Sequence, residues 1–204
     1  MKNLDQFPLW TAVITPMDDQ GKVDYESFKT ILLDQQAAHN ACVILGSTAE
    51  ALNLDLEEKK EIVRFATHLN LAIPLMCGIG GHNINETKEW LRFAETLNFD
   101  AYLMVTPIYA KPGMHGQYEW FKSLMDIASR PVMLYNVPGR SATALNVETL
   151  SMLKQHPRFW AIKEASGKVE DFKKYAEAAP NAKMYSGDDS MMADFAPHRC
   201  IGLV

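Results

Sequence analysis

An α/β fold with eight parallel strands closed into a (β/α)8 barrel is predicted by three observations. Apolar, β-rich runs alternate with segments of helical period along almost all of the 204 residues. The runs are hydrophobic nearly throughout, as parallel strands covered on both faces require, rather than in the every-other pattern of a half-exposed sheet. Strict alternation of strand and helix calls for a parallel sheet with right-handed crossovers. A doubly wound open sheet satisfies the same pattern, and the count of eight units favours the barrel.

The predicted strands are "LWTAVIT" (9–15), "ACVILGS" (41–47), "IPLMCGI" (73–79), "DAYLMVT" (100–106), "PVMLYNV" (131–137), "FWAIK" (159–163), "KMYSG" (183–187) and "CIGLV" (200–204). Seven helical connections are expected between them, six with helical period over 24–39, 56–69, 85–98, 114–129, 146–156 and 169–179. Phe28, Ile31, Leu32 and Gln35 continue one face of the first. Asp55 before "LEEK", Asn85-Glu86 and Asn146 before "VETL" supply caps or early acids. The sequence reaches Val204 inside the eighth apolar run. The expectation is therefore one barrel domain over 1–204, cut within its last strand and part of a longer protein.

Composition narrows the function. Hydrophobic residues make up 48% and charged residues 22%, and 25 acids against 20 bases give a net charge of −5 without a basic block. A broad nucleic-acid surface is not expected, whereas a small anionic substrate needs only a few local cations. Cys42, Cys77 and Cys200 are odd in number, lack CxxC spacing and lie in apolar runs. They read as buried thiols, not as a disulfide framework or a zinc site. The N-terminal "MKNLDQFPLW" has no apolar signal region and no run reaches membrane-spanning length, so a soluble, cytoplasmic protein is expected.

In a parallel barrel the active site lies at the carboxyl ends of the strands. Those ends read Thr15-Pro16, "GSTAE" (46–50), "CGIGGHN", "TPIYAKPG", "YNVPGR", Lys163 and "SGDD". Lys163 draws attention because it ends the apolar strand "FWAI". A lysine there either snorkels to water or, kept dry, loses its proton easily and becomes an amine nucleophile. Tyr109, Tyr135, Ser47, Thr48 and Arg140 converge from other strands. Each also has a plain structural role open to it: Tyr135 in the core, Ser47 and Thr48 as helix caps, Arg140 as a solvated charge. Asp188-Asp189 reads better as an N-cap than as a metal pair, and His82 and His115 carry no signal of their own.

Taken together, "GSTAE", "TPIYAKP", "YNVPGR", "IKEASG" and "SGDD" resemble the dihydrodipicolinate synthase family. That family sits within the pyruvate-dependent class I aldolases and lyases, a group that includes N-acetylneuraminate lyase. The resemblance runs from "TAVITPMDDQGKVD" to "CIGLV". It implies a TIM barrel, here without its eighth helix and the family's small helical C-terminal domain.

It further implies that Lys163 forms a Schiff base with pyruvate. The resulting enamine adds to L-aspartate 4-semialdehyde, giving 4-hydroxy-tetrahydrodipicolinate on the route to diaminopimelate and lysine. Tyr135, Thr48 and Tyr109 map onto the family's proton relay, with Tyr109 donated across a dimer interface in a homotetramer of tight dimers. Arg140 holds the semialdehyde carboxylate, Ser47 and Thr48 receive the pyruvate carboxylate, and Gly187 and Val204 line the pocket beside the lysine. Neither metal nor cofactor is implied beyond the lysine–pyruvate imine.

Arg140 favours the synthase over the sialic acid lyases, which carry an uncharged residue there. Two other readings stay open at this point: a pyruvate aldolase acting on a 2-keto-3-deoxy sugar acid, and a catalytically silent barrel.

Three departures from the family pattern stand out. Ser47 replaces a threonine, Ala49 replaces a glycine and would be strained if that position required φ > 0, and Ile108 replaces a tyrosine. At the family's lysine-feedback positions His82 and Glu86 are present, but Leu56 and Lys59 replace histidines. Lys59 opposes an ammonium ligand, so weak or absent lysine inhibition is expected.

Overall fold

The computed structural model describes residues 2–204. Eight strands form one sheet in sequence order, every neighbouring pair parallel: β1 Trp10–Ala12, β2 Ala41–Ile44, β3 Leu75–Ile79, β4 Ala101–Val105, β5 Val132–Asn136, β6 Phe159–Glu164, β7 Lys183–Ser186 and β8 Cys200–Leu203. A parallel bridge between Leu9 and Leu203, with the Leu203 N–H donating to the Pro8 carbonyl at 2.8 Å, closes the ring. The barrel, not the open doubly wound sheet, is the architecture.

Helices α1 Tyr25–Ala37, α2 Leu56–His68, α3 Ile84–Glu95, α4 Met114–Met125, α6 Val147–Leu153 and α7 Val169–Ala178 fill the first six crossovers. Their starts follow capping chemistry. Asp24 and Asn146 accept from first-turn amides, and Asp55 forms a reciprocal capping box with Glu58. The third cap is Asn83, two residues before the expected Asn85, because its side chain accepts from both the Asn85 and Glu86 amides.

Two connections differ from expectation. "PGRS" in the loop after β5 is a four-residue helix, α5 Pro138–Ser141, started by a proline at its first turn and ended by Ala142 in the left-handed region (φ 59°). Between β7 and β8 the chain makes a 3-10 turn, the short α8 Met192–Phe195 and a second 3-10 turn containing Pro197, instead of one continuous helix. That piece still covers the barrel: Phe195 is fully buried and stacks on Phe172 of α7 at 4.3 Å.

All the strands but β6, which gains Glu164, are shorter than the apolar runs that announced them. β1 keeps three residues of the expected seven, because the chain leaves the ladder towards Pro16 and exposes half of Ile14. Gly78, next to last in β3, is a glycine for want of room: a Cβ there would stand 2.1 Å from the Leu45 carbonyl oxygen. Cys42 and Cys77 are buried as expected, whereas Cys200 is only half-buried; all three are free thiols.

Candidate active site

Lys163 is the next-to-last residue of β6 and is only 5% exposed. Parallel register sets it opposite Tyr135 of β5, and its Nζ lies 4.4 Å from the centre of the Tyr135 ring. The ammonium is thus held against an aromatic face, away from water. Burial first, and the Arg140 guanidinium second, lower its pKa from 10.5 to about 8, with Asp189 pulling weakly the other way. Of the two roles open to this lysine, the dry amine describes its surroundings and the snorkelling side chain does not.

Gly187, just past β7, makes room for the lysine. A Cβ there would lie 2.8 Å from Lys163 Cε and 2.9 Å from Ala165 Cβ. Val204 is buried and its N–H donates to the Ser186 carbonyl at 2.8 Å, one residue before that glycine.

Above Tyr135 opens a cavity of about 460 Å³ walled by Ser47, Gly80, Ile108, Tyr135, Arg140 and Lys59, among others. Tyr135 is 6% exposed. Burial pushes its phenol up, and the Ser47 hydroxyl and Arg140 pull it back, so at neutral pH it is a protonated donor. Arg140 sits in α5, on the loop directly after β5. Ser47 lies in the turn after β2, which Thr15 steadies by donating its hydroxyl to the Ala49 carbonyl at 2.9 Å.

The helix-cap role considered for Ser47 and Thr48 does not apply: Asp55 caps α2, and both residues sit in turns. Nor does Ala49 carry backbone strain, since the positive φ values of this turn fall on Leu45 (57°) and Glu50 (54°). Asp188 caps the 3-10 turn after β7, accepting from the Ser190 amide.

Ser47, Tyr135, Arg140, Lys163 and Gly187 therefore gather at one end of the barrel: the first three line the cavity, and Lys163, which is not in its wall, adjoins it through the Tyr135 ring with Gly187 behind. Thr48 and Tyr109 do not line the cavity. Thr48 is exposed in its turn. Tyr109 is 87% exposed, turned outward at a residue with φ 68°. Val204 also lies outside the cavity wall.

Sequence reading missed two features. Lys59, assigned by resemblance to a feedback position, is part of the same cavity wall as Arg140. Asn136 and Glu164, the residues immediately after Tyr135 and Lys163, are fully buried and hydrogen-bonded to each other at 2.6 Å. The available signal was a carboxylate at the very end of an apolar strand.

Comparisons with known proteins bear on this arrangement. The sequence model of the "Dihydrodipicolinate synthetase family" matches residues 7–203. The 4-hydroxy-tetrahydrodipicolinate synthase of Francisella tularensis subsp. novicida is 45% identical over 196 residues, covering 96% of this chain and 66% of that protein. The enzyme of the same name from Wolbachia pipientis wMel is 44% identical over 197 residues, covering 96% and 67%. The chain thus spans just under two thirds of the length of the Francisella relative.

Among solved structures, the chloride-inhibited dihydrodipicolinate synthase of Acinetobacter baumannii complexed with pyruvate superposes with a TM-score of 0.90. It is 31% identical and is matched over 97% of this chain and 69% of that one. The Cyanidioschyzon merolae enzyme with lysine bound gives 0.92 at 29% identity, over 98% and 70%. With the barrel, the buried strand-end lysine and these matches in agreement, the chain belongs to the dihydrodipicolinate synthetase family.

Proposed function

We propose that the protein to which this chain belongs condenses pyruvate with L-aspartate 4-semialdehyde through a Schiff base on Lys163, giving 4-hydroxy-tetrahydrodipicolinate and water. The observation that carries the reading is the Lys163 amine, 5% exposed and 4.4 Å from the centre of the Tyr135 ring, a ring that lines a cavity together with Arg140.

With its pKa at about 8, about a tenth of Lys163 is neutral at pH 7, against fewer than about one molecule in 10³ at the ordinary value. The free amine attacks the ketone carbon of pyruvate, and the carbinolamine loses its oxygen as water to leave an iminium. The iminium withdraws electrons from the methyl group, which gives up a proton to form the enamine. The enamine carbon attacks the semialdehyde carbonyl, whose oxygen takes a proton. The amino group of the semialdehyde then adds to the imine carbon, closing the ring and releasing Lys163.

Tyr135 is the general acid and base for these transfers, suited by a phenol that burial keeps protonated. Arg140 grips the semialdehyde carboxylate bidentately, and Ser47 on the cavity wall receives the pyruvate carboxylate, with Thr48, outside that wall, offering the backbone N–H of the same turn. The lysine itself supplies the electron sink, so the scheme calls on no metal or organic cofactor.

Tyr109, almost wholly exposed, completes the proton relay only by reaching into a neighbouring subunit, in a tetramer assembled from tight dimers. The relative crystallised with pyruvate lends support to the first substrate. The test is borohydride reduction of the full chain with pyruvate, peptide mapping of the adduct, and a condensation assay with the semialdehyde. A reduced pyruvyl group on Lys163 together with turnover is expected. An unlabelled Lys163 refutes the reading, and an adduct without turnover refutes the assigned aldehyde.

A further inference from the structure

In the β5–β6 ladder Tyr135 pairs with Lys163, and the last rung pairs Asn136 with Glu164. Successive strand residues point to opposite faces. The Tyr135–Lys163 rung therefore faces the barrel interior beneath the cavity, and the Asn136–Glu164 rung faces the helical layer. Both side chains of that outer rung are fully buried. Asn136 Nδ2 donates to Glu164 Oε2 at 2.6 Å, and Glu164 Oε1 accepts from the Ser166 N–H at 2.7 Å. Asn136 Oδ1 accepts from the Leu145 N–H at 2.8 Å. The Leu145 carbonyl in turn accepts from the Tyr175 hydroxyl of α7 at 2.7 Å.

An amide and a carboxylate in an apolar layer are costly unless hydrogen-bonded, and each polar atom of this pair has a partner. Their position explains what they do. β5 ends at Asn136 and β6 at Glu164, and the last backbone bond between the two ends runs from the Ala165 N–H to the Asn136 carbonyl at 2.9 Å. The side-chain pair adds a second link at the point where that ladder stops. The Asn136–Leu145 bond also closes the loop that carries Arg140 at its middle.

We propose that Asn136 and Glu164 are positioning residues: their hydrogen-bonded pair sets the separation of Lys163 from Tyr135 and, through Leu145, anchors the loop of Arg140. Neither touches the cavity; both act through the residues beside them. The proposal rests on the reaction assigned above.

The test is a polarity swap in the full chain. Asn136→Asp keeps an acceptor for the Leu145 N–H but sets two carboxyl groups face to face. Asn136→Asp with Glu164→Gln restores the bond in the opposite sense, Gln donating to Asp, and leaves the acceptors for Leu145 and Ser166 in place. The single variant is expected to lose about 10²-fold in kcat, the scale on which misplacing a reacting group by about 1 Å acts. Its KM for the semialdehyde should change less than about threefold, since the Arg140 loop stays closed. The double variant is expected to recover to within about tenfold of the parent.

A single variant with parental kcat, a loss confined to KM, or a double variant as impaired as the single, folded or not, overturns the proposal. Pyruvate trapping on the parent separates this outcome from a wrong assignment of the reaction. If the parent forms no adduct at Lys163, the reaction is at fault. If it does and the swap behaves as above, the clamp is.

Discussion

Gly187→Ala adds one methyl group at the place where the site has least room. Gly187 does not occupy the left-handed region, so alanine meets no backbone penalty there and the effect is steric alone. The new Cβ would stand 2.8 Å from Lys163 Cε and 2.9 Å from Ala165 Cβ, where ordinary contact begins at 3.4 Å. With Ala165 closing the other side, the lysine side chain must give way by about 0.6 Å. Its far end is flexible, so the fold loses little. The amine, however, moves relative to Tyr135 and to the bound keto acid.

At about 10²-fold for each ångström of misplacement, kcat/KM should fall by about tenfold to 10²-fold. The rate of borohydride trapping with pyruvate should fall with it, while the thermal midpoint stays within a few degrees of the parent. A G187A protein that traps pyruvate and turns over at the parental rate would refute the reasoning, because Lys163 would then not occupy its position against this backbone during catalysis.

Three further outcomes follow from the same geometry. Tyr135→Phe keeps the ring under the Lys163 amine and removes only the proton carrier, so kcat should fall about 10²-fold or more, and an unchanged kcat in a steady-state assay would remove Tyr135 from the relay. Lys163→Met should stabilise the fold at neutral pH. Because the folded pKa lies at about 8, below the 10.5 of an unperturbed lysine, the unfolded chain binds the proton more tightly. That penalty of up to about 3 kcal/mol is fully present below the folded value and fades as pH rises towards the unfolded one. Urea titrations at two pH values measure it, and a methionine variant less stable at pH 7 contradicts it. Finally, the Lys59 cation on the cavity wall and the apolar Leu56 should leave turnover insensitive to lysine. A submillimolar inhibition constant would overturn that expectation.

Much of the barrel was legible because a parallel strand covered on both faces must be apolar along its length. The eight runs all became strands, seven of them trimmed to what the ladder could use and the sixth extended by one residue to Glu164. α5 escaped notice since four residues carry no period, and Pro-Gly-Arg-Ser reads as a turn until its backbone is seen. The link from β7 to β8 breaks at Pro197, where a proline cannot continue an α-helix.

Lys163 was legible as an odd charge on an apolar strand, but its depth was not; that comes from its pairing with Tyr135 and the methyl-free space at Gly187. The roles of Arg140, Ser47 and Thr48 came from resemblance, not from spacing. The Asn136–Glu164 pair was out of reach because inter-strand register is not written in either strand alone. Tyr109 shows the reverse: its proposed role came from resemblance alone, and within this chain it is an exposed phenol.

The most direct test of the central claim is the rate of pyruvate-dependent borohydride labelling at Lys163 in the full chain, followed across pH. A dry lysine predicts a rate that climbs about tenfold per pH unit and levels off near the folded pKa of about 8. A rate still climbing at pH 10, or label on any lysine other than Lys163, would contradict it.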